Sequence, residues 1–211
     1  MRMWIFVFFF VAALRAQTPE DALKRLQKGN RRFVKEQLLH PNRTGERRLS
    51  LVEGQSPYAV IVTCSDSRVV PEVIFDEGLG DLFVIRVAGN VIDSTELESI
   101  EYAVDHLQPV IVVVMGHERC GAVDAVVKEQ IQDIPVIAAL IEPSVKKAKS
   151  LQAKNLLKSS IELNALRMHK LVFNSPVVEK KVQTKSVAIH AAYYNMQTGV
   201  VEFLDSNNPR I

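Results

Sequence analysis

Apolar and polar residues follow one another along this chain in blocks. Tyr58–Thr63, Asp81–Val87 and Val110–Met115 are short, rich in β-branched residues and almost unbroken in their hydrophobicity, and Val187–Tyr193 is a fourth such run. Strands of that kind are buried on both faces, as in parallel sheets. Longer stretches with helical spacing separate them. A helix is predicted over Glu96–Leu107, capped by Ser94 or Thr95, and another from near Cys120 through Lys128. Residues 135–173 read as helical with an interruption at Pro143, and Ser175-Pro176 closes that region. Asn195–Gly199 reads as a turn that brings Val200–Leu204 back as an antiparallel edge strand. The alternation predicts an α/β fold, a doubly wound and mostly parallel sheet with helices on both faces.

Before the first strand, Thr18-Pro19-Glu20-Asp21 is a helix start, with proline in the first turn and acids at the positive end of the dipole. Leu23, Leu26, Phe33, Val34 and Leu38 form a broken apolar stripe over a helical arm at about 19–39. Such a stripe packs either on its own sheet or on a second subunit. Residues 40–50 read as a loop. The first sixteen residues differ from all of this. Arg2 precedes an apolar run, Trp4–Leu14, that is shorter than the about 20 residues of a membrane-spanning helix. Small residues follow, ending at Ala16. The pattern predicts a signal peptide over 1–16 with cleavage after Ala16, the alternative being an uncleaved anchor. The mature part, 17–211, then reads as one domain, periplasmic or secreted, with no stable membrane insertion once the leader is gone.

Composition adds two exclusions. The formal net charge is +2, and no long basic run interleaves with aromatic residues, so nucleic acid is not an expected partner. The chain has 2 cysteines, Cys64 and Cys120. In an oxidising compartment such a pair suggests a disulfide. Its surroundings suggest a metal instead.

Cys64 follows the first strand in Cys64-Ser65-Asp66-Ser67-Arg68, and Cys120 follows the third in His117-Glu118-Arg119-Cys120. Two thiols and an imidazole are a donor set that zinc prefers, and three protein ligands leave a tetrahedral position open for chemistry. Cys64 and His117 can meet only if strands one and three lie side by side with their carboxyl ends together, which predicts the strand order 2-1-3-4. In doubly wound sheets that switch point is where ligands bind. Asp66 places a carboxylate beside the metal, and Arg68 can hold it away. If that pair parts, Asp66 becomes a possible fourth ligand that closes the site. His190, in an apolar strand, reads as a core residue, and His40 and His169 as surface residues.

Cys64–Arg68, together with Arg86-x-Ala88-Gly89-Asn90, Ser99-Ile100-Glu101-Tyr102-Ala103-Val104 and Gly116-His117-x-x-Cys120-Gly121-Ala122, resembles the β-class carbonic anhydrases. Order and spacing agree from about Thr18 to Asp205. The resemblance implies one Zn²⁺ per subunit and reversible hydration of CO₂ to bicarbonate and a proton by a zinc-bound hydroxide that Asp66 orients. It implies a homodimer, often doubled to a tetramer, with the cleft at the subunit interface. It also implies a substrate pocket of Gln55, Phe83, Ala88 and Tyr102, as in the plant-like branch. Another branch carries tryptophan and glycine at the positions of Ile61 and Thr63, as parts of an inhibitory bicarbonate site that this chain is expected to lack. In carbonic anhydrases with three histidine ligands the bound water has a pKa of about 7. Two thiolates withdraw less charge, so activity rising towards alkaline pH is expected. Two other readings remain: hydrolysis of CS₂ or COS on the same fold, and a non-catalytic exported domain holding a structural zinc or a disulfide.

Overall fold

The computed structural model describes residues 17–204, so the leader expected over 1–16 and the last seven residues lie outside the described part. Its frame is a five-stranded sheet built from β1 (Ala59–Thr63), β2 (Leu82–Arg86), β3 (Ile111–His117), β4 (Ala188–Tyr194) and β5 (Val201–Leu204). Their order is β2-β1-β3-β4-β5. The first four strands run parallel, and β5 pairs antiparallel with β4. This is the order that the two cysteine segments require. Every residue of β1 and β3 is buried, which explains why both read as unbroken apolar runs.

The helices are α1 (Pro19–Val34), α2 (Gly45–Ser50), α3 (Pro71–Ile74), α4 (Ser94–Tyr102), α5 (Gly121–Val127), α6 (Pro135–Ser150), α7 (Leu156–Phe173) and α8 (Pro176–Gln183). On one face of the sheet, Ala59, Ile61, Ile111, Val113 and Met115 pack against Ala22 and Leu26 of α1 and against Ile74 and Phe75. On the other, Val60, Val62, Val112 and Val114 meet Ile100, Val104, Met168, Val172 and Val178 from α4, α7 and α8. A third apolar cluster closes over the carboxyl ends of β1 and β3. It joins Cys64 and Cys120 to Val123, Ala138, Ile141, Val145 and Ile161.

Several boundaries differ from the reading of the sequence. The arm ends at Val34 and packs on its own sheet. Asn30 fixes it there, donating from Nδ2 to the carbonyls of Gly199 (2.8 Å) and Ile74 (3.2 Å) and accepting from the Val201 amide (2.9 Å). The cap of α4 is Asp93, whose side chain accepts from the Ser94 amide while Glu96 returns the capping-box bond. The helix then widens into a π turn over Ala103–Leu107. Pro143 sits inside α6 without ending it. Burial of Ala138, Ile141, Val145 and Ala148 outweighs the roughly 3 kcal/mol that an interior proline costs. The break falls at 151–155 instead, where Asn155 caps α7. Helices α2 and α8, and the single turn of α3, had not been expected. Each is too short to show a 3.6-residue period.

Candidate metal centre

The parallel register pairs Thr63 with Met115, so Cys64 leaves β1 beside the end of β3, where His117 is the last strand residue. Cys120 is the N-cap residue of α5. The three ligand atoms of Cys64, His117 and Cys120 all lie within 4.8 Å of one another, and all three residues are buried. Both cysteines are free, and their sulfurs stand 4.0 Å apart. A disulfide needs about 2.05 Å. Two sulfurs on one tetrahedral zinc, with Zn–S near 2.3 Å, stand about 3.8 Å apart.

The imidazole is set for the same task. Its Nδ1 lies 2.9 Å from the Glu118 carbonyl, which can only accept, so Nδ1 carries the proton. Nε2 is left with its lone pair, buried and without a hydrogen-bond partner. An orphaned buried acceptor beside two thiols is a donor set suited to a divalent cation. The residues present therefore fit a zinc ion.

Asp66 and Arg68 stand together at the rim. The Asp66 carboxylate accepts from Arg68 Nε (2.9 Å), Arg68 Nη2 (2.7 Å) and the Arg68 amide (3.0 Å). These bonds hold the Asp66 carboxyl well below the usual carboxylate range. Its Oδ2 is 4.0 Å from His117 Nε2, so the carboxylate faces the cluster from beside the arginine. Arg86, at the end of β2, braces the segment by donating to the carbonyls of Cys64 (3.2 Å) and Asp66 (2.6 Å). Cys64 is the thiol drawn down, by the hydrogen bond with Cys120 and by donors that include the Gly89 amide 3.3 Å from its sulfur. Cys120, more deeply buried and sharing that bond, is pushed up.

The expected pocket residues are more scattered. Ala88, half-buried, precedes the glycine whose amide reaches Cys64. Phe83 packs against the α4 face of the sheet. Gln55 is exposed in the loop before β1. Tyr102 is 51% exposed on α4, its ring tilted on His106. None of Gln55, Phe83 and Tyr102 hydrogen-bonds to the cluster among the described residues. Ile61 is fully buried, and the Thr63 hydroxyl donates to the Met115 carbonyl at 3.0 Å, so both side chains are committed to the core. His169, expected at the surface, is half-buried with Nε2 3.2 Å from the Ile189 carbonyl. His190 lies edge-on to Phe203.

Three residues near the centre had no signal in the sequence. Glu118 accepts from the Met196 and Gln197 amides at 3.1 and 3.2 Å and so ties the His117 segment to the β4–β5 turn. Asn164 and Ser144 are polar residues buried between α6 and α7. A glutamate or asparagine on an amphipathic stretch reads as solvated until the fold shows what lies over it.

A buried thiol–thiol–imidazole cluster at the switch point of a doubly wound sheet, with a carboxylate at its rim, defines the class: an α/β protein with a candidate metal centre. A carbonic anhydrase family profile matches residues 59–201. A carbonic anhydrase of Mycolicibacterium smegmatis is 55% identical over 107 residues, 51% of this chain and 52% of its own, so this chain spans about half the length of that relative. A carbonic anhydrase of Pseudomonas aeruginosa is 30% identical over 174 residues, covering 76% of this chain and 79% of its own. Among solved structures, the β-carbonic anhydrase CafA of Aspergillus fumigatus superposes with a TM-score of 0.71 at 28% identity, covering 90% of this chain and 92% of the other. The chain belongs to the β-carbonic anhydrase family.

Proposed function

We propose that this protein hydrates CO₂ reversibly to bicarbonate and a proton, with one zinc ion per subunit held by Cys64, His117 and Cys120. The observation that carries the reading is the unpartnered His117 Nε2 facing two free thiols 4.0 Å apart. Zinc bound there would supply a Lewis acid able to generate a nucleophile from water near neutral pH.

The chain's own residues do the rest. Asp66 is kept ionised by Arg68 and is aimed as an acceptor for the proton that orients the nucleophile. Arg68, by engaging both carboxylate oxygens, keeps Asp66 from becoming a fourth ligand. Phe83, Ala88 and Tyr102 form the apolar wall that a small apolar substrate needs, and Gln55 donates to one substrate oxygen. Gln55 and Tyr102 are exposed in the single chain, as are the apolar side chains of Leu49 (68%) and Val52 (70%). A second copy that covers Gln55 and Tyr102 completes the pocket, so the working unit is a homodimer, alone or doubled. Residues 1–16 act as a cleaved leader, and the mature part is one periplasmic or secreted domain. No helix among the described residues is long and apolar enough to cross a membrane.

Stopped-flow hydration on zinc-replete protein tests the activity. A rate above buffer in the wild type and a loss of about tenfold or more in Asp66→Ala are expected, in line with general acid–base contributions. A wild type no faster than buffer contradicts the proposal.

A further inference from the structure

A chain of polar contacts runs from the helical layer into the cluster. Asn164 lies in the middle of α7, is fully buried, and donates from Nδ2 to the Gly89 carbonyl at 2.9 Å. Its Oδ1 accepts from Ser144 Oγ of α6 at 3.4 Å. Since the Gly89 carbonyl can only accept, the amide nitrogen must face it, which fixes the orientation of the side chain. Gly89 in turn donates its own N–H to Cys64 Sγ at 3.3 Å.

Gly89 needs such a clamp. Its φ is +74°, and the next residue, Asn90, has a φ of +46°, so two consecutive residues sit in the left-handed region. Glycine occupies that region at little cost but leaves it as readily, because no Cβ restricts it. A Cβ would be strained at this φ and would also have to displace the end of the Ile141 side chain. One built on Gly89 falls 2.7 Å from Ile141 Cδ1 and 3.3 Å from the Ala122 Cβ. The turn has one backbone bond of its own, from the Asn90 amide to the Val87 carbonyl at 2.9 Å, but the Gly89 carbonyl is buried where an unpaired acceptor is costly. Asn164 pairs that carbonyl and so holds the 89–90 peptide plane, and the Gly89 N–H, in the preceding plane, is aimed relative to it through the φ and ψ of Gly89.

We infer that Asn164 is a positioning residue for the metal centre: through the Gly89 turn it aims a backbone N–H at Cys64 Sγ and so sets the electron density of that thiolate towards the metal. Ser144 orients Asn164 from the outside. The inference rests on the reading that the cluster holds a metal. An N–H aimed at a ligating sulfur withdraws charge from it, and groups that orient ligands in this way commonly change metal affinity by about 10–100-fold when removed.

The test uses the full chain loaded with ¹¹³Cd in place of zinc. In the wild type, a scalar correlation is expected between ¹¹³Cd and the Gly89 amide proton, transmitted through the N–H···S contact. Asn164→Ala removes the donor, and Asn164→Asp replaces it by an acceptor of the same shape. Both are expected to lose that correlation and to weaken metal binding about tenfold in chelator competition. Ser160→Ala serves as control. It alters another buried polar residue of α7, whose hydroxyl has no hydrogen-bond partner, and should leave both readouts unchanged. Bound ¹¹³Cd without a Gly89 correlation in the wild type overturns this inference and leaves the metal reading intact. So do folded Asn164 variants with wild-type correlation and affinity. Failure of ¹¹³Cd to bind the wild type overturns the metal reading and this inference with it.

Discussion

Arg68 meets Asp66 with its planar fork and with its own amide, a geometry that a lysine cannot reproduce. Arg68→Ala should keep its metal and lose hydration activity by about tenfold or more, because the carboxylate is no longer aimed. Arg68→Lys should fall between, since a point charge satisfies one oxygen at a time. Zinc analysis and stopped-flow rates on the same samples check both, and a wild-type rate in Arg68→Ala would remove Arg68 from the machinery. The central residues were legible because the chemistry sits in two short contiguous motifs at strand ends, where residue type and spacing suffice. Cys64, Asp66, Arg68, His117 and Cys120 all come together in the fold. Asn164, Ser144 and Glu118 were not legible. Asn164 and Glu118 act on backbone atoms distant in sequence and Ser144 on the distant Asn164 side chain, and such partners leave no mark on the local pattern of side chains.

At the scale of elements, α1 and α7 make the sharper predictions. A Cβ on Gly29, in the middle of α1, would lie 1.7 Å from the Phe75 carbonyl oxygen, so the helix can dock on the α3 segment only with glycine there. Overpacking of this kind costs about 1–3 kcal/mol, and for a chain of this size Gly29→Ala should melt several degrees lower. An unchanged melting temperature would show that α1 does not dock as described. The paired histidines His169 of α7 and His190 of β4 respond to pH. Burial lowers the pKa of each below the usual histidine value, and for His190 the neighbouring His169 adds to this. With the folded value below the unfolded one, the unfolded chain takes up protons first. Stability contributed by these neutral rings is therefore complete above about pH 6.5 and is lost as pH falls from there towards the folded values. Denaturant titrations at pH 7.5 and 5.5 should show a smaller loss in His169→Gln than in the wild type. The same loss in both would exclude His169 as a source.

Elements also show where sequence patterns fall short. Strands β1 and β3 were legible because continuous burial leaves continuous hydrophobicity, and β2 and β4, only partly buried, because their apolar runs are short and lie between turn signals. The break between α6 and α7 was misplaced because proline is a strong local signal, whereas the packing that overrides it is spread over Ala138, Ile141, Val145 and Ala148. The arm's partner stayed open for a related reason: an apolar stripe shows that a helix packs, and the Asn30 bonds to Gly199 and Val201 show on what.

For the whole molecule, the proposed pocket is split in the single chain between the buried cluster and the exposed Gln55 and Tyr102. Sedimentation equilibrium on the zinc-loaded protein should therefore give at least twice the monomer mass, and a stable active monomer would contradict the shared pocket. Stripping the metal should leave both thiols free to titrate once the protein is denatured, and should lower the melting temperature in line with the binding free energy lost. The expectation of export rests on residues 1–16 alone. N-terminal sequencing of the exported protein should begin at Gln17.

Zinc K-edge X-ray absorption on the purified, unmodified protein tests the central claim most directly. Two sulfur scatterers near 2.3 Å with the remaining ligands nitrogen or oxygen near 2.0–2.1 Å are the predicted result. Protein without zinc, its Cys64 and Cys120 sulfurs joined at about 2.05 Å, would contradict the account.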